Sequence, residues 1–219
     1  EIMDYEARLF FTLLNDPKYE VVCTIKDGRN ATNEKSIFQK IKISILEGCF
    51  VRTLLFWVIN FVETPLRKGD GGVSFNKEEL RVRISALPCI EMMPERKGFL
   101  DVFSKNDCAK IEKLDLVILV RHEFGIIRGE ILRIPKYGVW SFHNADNKVN
   151  RGVPAGFWEV YNNDSVTGVT LQVLEDELDG GKVIQKGFYN TAEFWHQNLA
   201  IILDSSVDLI LKHLRLLYE

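Results

Sequence analysis

Tyr137-Gly-Val-Trp-Ser-Phe-His143 reads as a buried strand that breaks into the polar loop Asn144-Ala-Asp-Asn147. Beyond it lie Arg151-Gly152, Pro154 and the aromatic run Gly156-Phe-Trp-Glu-Val-Tyr161. A second strand, Thr167-Gly-Val-Thr-Leu-Gln-Val-Leu174, leads into Glu177-Leu-Asp-Gly-Gly181. One strand ends in an imidazole and the exit of the other carries the carboxylate of Asp179, groups suited to moving protons in a cleft. In a parallel α/β sheet, ligands bind beyond the carboxyl ends of the strands. The flanking elements decide whether such a sheet exists.

On the amino-terminal side, Asp115-Leu-Val-Ile-Leu-Val120 is a short continuous apolar run, the mark of a strand covered on both faces. Phe124-Gly-Ile-Ile127 follows as a turn, and Gly129 to Ile134 as a short helix closed by Pro135. Ser104-Lys-Asn-Asp107 has the form of a capping box and predicts a helix to Leu114. Pro88 to Gly98 reads as irregular, and Arg81-Val-Arg-Ile-Ser-Ala-Leu87 alternates as a strand. Helical spacing from Asn33 to Glu63 peaks in the apolar run Phe50 to Val62. A membrane span needs about 20 apolar residues; this run is shorter and carries Arg52 and Asn60, so it predicts a buried core helix in preference to an interfacial membrane helix. Thr64-Pro65 and Lys68 to Gly72 close it with a loop. Tyr19 to Ile25 is a strand stopped at Asp27-Gly28, and Ile2 to Leu14 a helix ended by Asn15-Asp-Pro17.

On the carboxyl side, Val183 to Tyr189 predicts a last strand, antiparallel to 168–174 across the Gly180-Gly181 turn, and Thr191 to Tyr218 an amphipathic closing helix. Alternating helices and strands predict an α/β fold, a mostly parallel open sheet flanked by helices, in one domain over residues 1–219. A chain that starts helix-then-strand is half of a βαβ unit. Opening on Glu1 and not Met, it is expected to be a fragment that lacks its first strand.

Composition narrows the partners. With 46% apolar residues, a sizeable core forms. The net charge of −3 argues against nucleic acid, since phosphate binding wants a basic excess, and favours a small-molecule substrate. Cys23, Cys49, Cys89 and Cys108 form no CxxC pair and read as small buried hydrophobes in a reducing, cytoplasmic compartment. No signal peptide is visible, so the sequons at Asn30 and Asn163 are chance matches. The dinucleotide and phosphate-loop glycine patterns are absent, Gly69-Asp-Gly-Gly72 follows no strand, and no His or Cys spacing suits a metal.

His143 is the best catalytic candidate, because Ser141 lies two residues before it on the same face of the strand, beside Asn144, Asp146 and Asn147. His122 and Glu123 read as rim residues, and His196 and His213 as surface or packing residues of the closing helix. A serine-hydrolase reading of Ser141 fails: Gly-x-Ser-x-Gly is absent, and two positions along one strand suit a nucleophile and its base poorly.

Several ordered motifs resemble the amino-terminal catalytic domain of the folate-dependent formyltransferases. That family has a strand ending in Asn-x-His, an Arg-Gly-x-x-Pro-like loop, a Thr-Gly-x-Thr strand and Leu-Asp-x-Gly. The matching residues are Ser141-Phe-His143, Arg151-Gly-Val-Pro154, Thr167-Gly-Val-Thr170 and Leu178-Asp-Gly-Gly181, with Asp115 to Ile127 and Pro135-Lys-Tyr-Gly138 upstream. The good match covers roughly Asp115 to Gly187; the first half fits in outline.

The resemblance implies an amine attacking the formyl carbonyl of 10-formyltetrahydrofolate, with His143 beside the resulting oxyanion and Asp179 taking the amine proton through a water. It implies a pterin held by Phe124, Gly125, Ile126 and Ile127, closed over by the loop that carries Glu175, Glu177 and Asp179. The acceptor is expected against Asn144, Asn147, Arg151 and Gly152. One position departs: the family's Asn, which hydrogen-bonds the formyl oxygen, is Ser141 here. Losing such a donor typically costs about 10²–10³ in turnover. Either the substrate sits deeper, Asn144 or Asn147 substitutes, or transfer is lost.

The expected function is formyl transfer to a small amine, with an amino sugar as the candidate acceptor. Transfer to tRNA is disfavoured by the charge. The alternatives are a catalytically impaired binding domain that retains the fold, or hydrolysis of the formyl donor.

Overall fold

The computed structural model describes residues 2–29, 50–63, 75–122, 124–149, 154–177 and 181–219. In chain order the elements are α1 (Asp4–Asn15), β1 (Thr24–Asp27), α2 (Phe50–Glu63), α3 (Lys77–Ser85), β2 (Cys89–Met92), β3 (Glu95–Lys97), β4 (Leu100–Val102), α4 (Lys105–Glu112) and β5 (Leu119–Arg121). Then come β6 (Ile126–Arg128), a 3₁₀ turn (Glu130–Arg133), β7 (Val139–His143), α5 (Phe157–Tyr161), β8 (Val166–Val173), β9 (Lys182–Asn190) and α6 (Trp195–Tyr218).

Successive strand residues point to opposite faces, and β7 divides the interior accordingly. Val139 joins a core built with α4 and the 3₁₀ turn through Cys108, Ile111, Ile131 and Leu132. Trp140 joins a second core in which Val169 and Leu171 of β8 meet Ile202, Val207 and Ile210 of α6. Tyr5, Leu9 and Leu13 of α1 pack on that second core. The layers are therefore helix, sheet, helix.

The sheet order is β5-β7-β8-β9, accompanied by a β1-β2 pair and a β3-β4-β6 ladder. Pairing is parallel at β1–β2, β4–β6 and β5–β7. It is antiparallel at β3–β4, β7–β8 and β8–β9, so the α/β class holds with a more mixed sheet than expected. The antiparallel β8–β9 hairpin is as predicted. β5 and β7 still run side by side to a common carboxyl edge.

Several elements differ from the sequence reading. The segment Arg81 to Leu87 is not a strand: α3 spans it, because Asn76 Oδ1 accepts from the Glu79 amide at 3.2 Å and Glu78 and Glu79 fill the first turn. Residues 88–98 are not irregular. The Thr24 amide donates to Pro88 O at 2.9 Å and the Gly28 amide to Met92 O at 2.8 Å, so β1 supplies the edge on which β2 forms. The first strand is correspondingly later and shorter than Tyr19 to Ile25. Ile126 and Ile127 belong to β6 and not to a turn, because β4 offers a parallel partner.

The expected core helix is half exposed. Phe56 packs edge-on against Phe157 and Trp195, while on the outer face Phe61 is 80% exposed. Its expected beginning, 33–49, lies outside the described residues, as does the 64–72 loop. No helix among the described residues is long and apolar enough to cross a membrane.

Candidate functional site

β5 and β7 deliver their last side chains to one place. Arg121 is the register partner of Ser141, and His143 follows two residues later on the same face. Gly138, at φ +76 just before β7, turns the chain into this strand; a Cβ there would sit 2.7 Å from a Val173 methyl. Ser141 is 1% exposed, and its Oγ accepts from Arg121 Nη1 at 3.0 Å. His143 and Asn144 are half-buried.

Arg121 also holds the neighbouring loop. Its Nε donates to the carbonyl oxygens of Phe124 and Gly125, each at 2.9 Å. From the other side, the Gly125 amide donates to Asp101 Oδ2 at 2.7 Å. Asp101 is fully buried in β4 and further accepts from Arg29 Nη1 at 2.5 Å and from Arg96 Nε at 3.0 Å. Burial works to raise the Asp101 carboxyl, but hydrogen bonds from Arg29, Arg96 and the Gly125 amide outweigh it and hold it well below the usual carboxylate range. The same contacts with Asp101 and Asp27 push the Arg29 guanidinium up. Burial lowers Arg121, with Asp101 opposing.

The loop after β7 is tied down as well. Thr170 Oγ1 donates to Ala145 O at 3.0 Å, Asp146 pairs with Lys186, and the Lys148 amide donates to Asp146 Oδ1 at 2.9 Å. Gly168 makes this close approach possible: a Cβ there would lie 2.7 Å from the Asp146 nitrogen. On the far side Asp176 accepts from the Gly129 amide at 3.0 Å and pairs with Arg133, which anchors the start of the loop that carries Glu175 and Glu177.

Of the sequence-predicted residues, Ser141, His143, Asn144 and Asn147 lie along β7 and its exit, and Phe124 and Gly125 are brought against Ser141 through Arg121. Ile127 is buried in the core, Ile126 is exposed, and Glu175 and Glu177 are exposed. Arg151, Gly152, Asp179 and Glu123 lie outside the described residues. His122 is a rim residue beside Tyr5 and Glu6. His196 is buried against Glu63, and His213 meets Gln185 at 2.6 Å.

Sequence reasoning placed Arg121 at a strand exit without giving it a role, and missed Asp101, Arg29 and Arg96. Arg121 had one signal, a lone cation closing an apolar strand. Asp101 and Arg29 had none, because the contact between them spans 72 positions of chain, and Arg96, though near in sequence, meets Asp101 only because β3 pairs with β4.

For a flat heterocycle the surroundings fit. β6 is an outer strand of its ladder, so half of its backbone donors and acceptors point away from β4. Phe124 is half-buried beside that edge and packs on Phe103. An apolar wall with a few convergent backbone groups is what such a ring needs.

No family model matches the chain. It is 37% identical over 137 residues to a methionyl-tRNA formyltransferase of Prochlorococcus marinus, covering 59% of this chain and 38% of that protein. Against the methionyl-tRNA formyltransferase of a Synechococcus strain it is 28% identical over 159 residues, covering 71% and 45%. The chain thus spans less than half the length of these relatives. Among solved structures, phosphoribosylglycinamide formyltransferase from Streptococcus pneumoniae superposes with a TM-score of 0.51 at 14% identity, covering 68% of this chain and 83% of that one. Glycinamide ribonucleotide transformylase 1 from Geobacillus kaustophilus gives a TM-score of 0.51 at 18% identity, covering 65% and 77%. At those identities the likeness is one of fold.

Proposed function

We propose that this chain belongs to the folate-dependent formyltransferase family and carries out formyl transfer from 10-formyltetrahydrofolate to the amine of a small molecule. The observation that supports the reading most is the meeting of three parts at one sheet edge. His143 ends β7, Arg121 ends β5 beside it, and Arg121 holds the Phe124–Gly125 turn. In this scheme the pterin lies along β6 and the turn, and the formyl group reaches toward His143. The acceptor nitrogen attacks the formyl carbon, its proton passes by way of Asp179 and water to N10, and the carbon–N10 bond breaks to release tetrahydrofolate. His143 donates to the oxygen that becomes negative. The loop Asn144–Asn147, with Arg151 and Gly152, is assigned to the acceptor.

We favour an amino sugar as acceptor, on the net charge of −3 and the polar loop after β7. A second acceptor, methionyl-tRNA, is favoured by the names of the sequence relatives. A cytoplasmic setting accompanies either, since Cys89, against the expectation of a buried side chain, is an exposed free thiol that suits a reducing compartment.

The test is release of tetrahydrofolate from 10-formyltetrahydrofolate in the presence of a panel of amino sugars and, separately, methionyl-tRNA. An amino sugar is expected to drive release, and His143→Ala to slow it by about 10²–10⁴-fold, the usual worth of a proton-transfer group. Turnover left intact in His143→Ala would sink the mechanism. Folate binding without transfer to any acceptor would point to an impaired binding domain, and formate produced without amine to a hydrolase.

A further inference from the structure

The departure at Ser141 raises the question of which group meets the formyl oxygen. Ser141 is 1% exposed, its Oγ is occupied by Arg121 Nη1 at 3.0 Å, and its own hydrogen lies toward Phe142 O at 3.3 Å. A hydroxyl so enclosed is badly placed to touch a ligand. Arg121 is different. It is half-buried, ends β5 at the carboxyl edge, and sits on the His143 face as the register partner of Ser141.

A guanidinium has five N–H bonds in a rigid plane. Here Nε serves the Phe124 and Gly125 carbonyls and one Nη1 hydrogen serves Ser141, so three N–H bonds remain uncommitted among the described residues. Among those residues no carboxylate pairs with Arg121 either; nearby Asp101 is occupied by Arg29, Arg96 and the Gly125 amide. A half-buried cation fixed by neutral acceptors, whose carboxylate neighbour among the described residues, Asp101, is already engaged by other donors, is arranged to receive negative charge from elsewhere.

We propose that Arg121 donates to the formyl oxygen and carries the negative charge that develops on it, with Ser141 acting as a positioning residue that fixes the guanidinium plane. The inference rests on the formyl-transfer reading above. It accounts for a small residue at position 141, because an amide there would occupy the space that Nη1 takes. It also couples folate binding to catalysis: the cation that meets the oxygen is the one that holds the Phe124–Gly125 turn.

The experiment observes the formyl carbon directly, using 10-formyltetrahydrofolate carrying carbon-13 in the formyl group, with tetrahydrofolate as the ligand that lacks it. In the wild-type chain the bound formyl carbon resonance is expected to move downfield of its free position, as a carbonyl does when a cation donates to it. Arg121→Met is expected to abolish that displacement and to slow tetrahydrofolate release about 10²-fold at saturating donor, while tetrahydrofolate, which lacks the reacting oxygen, still binds, more weakly because the Phe124–Gly125 turn loses its tie to the guanidinium. A wild-type chain that does not bind tetrahydrofolate removes the formyl-transfer reading and this inference with it. Wild-type binding and transfer, with the downfield displacement intact in Arg121→Met, overturns the role of Arg121 alone. If Arg121→Met fails to fold or no longer binds tetrahydrofolate, Ser141→Ala decides. A smaller displacement at unchanged tetrahydrofolate affinity supports the proposal, and an unchanged displacement overturns it.

Discussion

Asp101 shows what one buried carboxylate does for the site. It has no exposed surface, yet it stays charged because two guanidinium groups and an amide converge on it. Removing one partner of a buried ion pair leaves the others desolvated and uncompensated, at about 3–5 kcal/mol. Arg96 is largely exposed and can return to water, which places Asp101→Ala near the lower end, about 3 kcal/mol, read from urea denaturation. The pH dependence follows from the direction of the shift. The folded carboxyl titrates below its unfolded value of about 3.9, so its stabilisation is complete above that pH and is lost as pH falls through the folded value. Wild-type stability is therefore expected to drop on acidification below about pH 4, and Asp101→Asn to drop less over the same interval. A variant that tracks the wild type would show that other carboxylates carry the acid sensitivity.

At the scale of elements, the β7–loop–β8 unit sets the geometry of the candidate acceptor side. The loop after His143 lies directly on β8, made possible by Gly168 and held by Thr170 and Lys186. Gly168→Ala would put a Cβ 2.7 Å from the Asp146 nitrogen and 3.0 Å from its Cα, backbone atoms that cannot swing aside. Forced overpacking costs about 1–3 kcal/mol, and the loop that carries Asn144 and Asn147 must lift. Thermal melting is expected to show the cost, and kinetics a rise in KM for the acceptor with tetrahydrofolate affinity retained; an unchanged KM would remove this loop from acceptor binding.

These elements also show how much could be read in advance. The strands Val139–His143 and Val166–Val173 were legible because each is a short run of strand-forming residues bounded by a polar loop, and the Ser104 cap was legible because Ser104 Oγ meets the Asp107 amide three residues away. α3 was misread because Arg81-Val-Arg-Ile alternates over only four residues, too short a window to separate period 2 from 3.6. β2 and β6 were unreadable for another reason. They are strands only because β1 and β4 lie beside them.

At the scale of the whole molecule, α6 depends on a residue far from it in sequence. Phe194 at its N-cap offers no side-chain acceptor; instead the Glu63 carboxylate, from the end of α2, accepts from the Trp195 amide at 3.1 Å and the His196 amide at 2.9 Å. It also meets His196 Nδ1 at 3.1 Å. A carboxylate at a helix N-terminus complements the dipole and satisfies unpaired amides, worth about 1–2 kcal/mol where partly buried. Glu63→Ala is expected to cost about that much, measured by denaturation, and to raise amide exchange in the first turn of α6. Unaltered exchange there would mean that the helix end finds its partners elsewhere. In the same first turn of α6, Asn198 is fully buried, its Oδ1 accepting from Thr167 and Ala192 and its Nδ2 donating to Gly156 O at 2.8 Å, so α5, β8 and α6 form one unit.

The sequence by itself determined the α/β class, the two strands that bracket the site, and the position of His143 at a strand exit. These follow from short-range rules: alternation, capping and turn chemistry act between residues a few positions apart. What only the tertiary structure decided is how that exit is furnished. The register of β5 on β7 brings Arg121 to Ser141, β4 supplies Asp101 to fix the Phe124–Gly125 turn, and Arg29 arrives from just beyond β1 to neutralise Asp101. Each of those contacts joins charges or hydrogen-bond partners whose energy depends on distance in space and on exclusion of water, neither of which is written along the chain. So Tyr137-Gly-Val-Trp-Ser-Phe-His143 identifies where chemistry sits, while the guanidinium one strand away marks what Ser141 is there to hold.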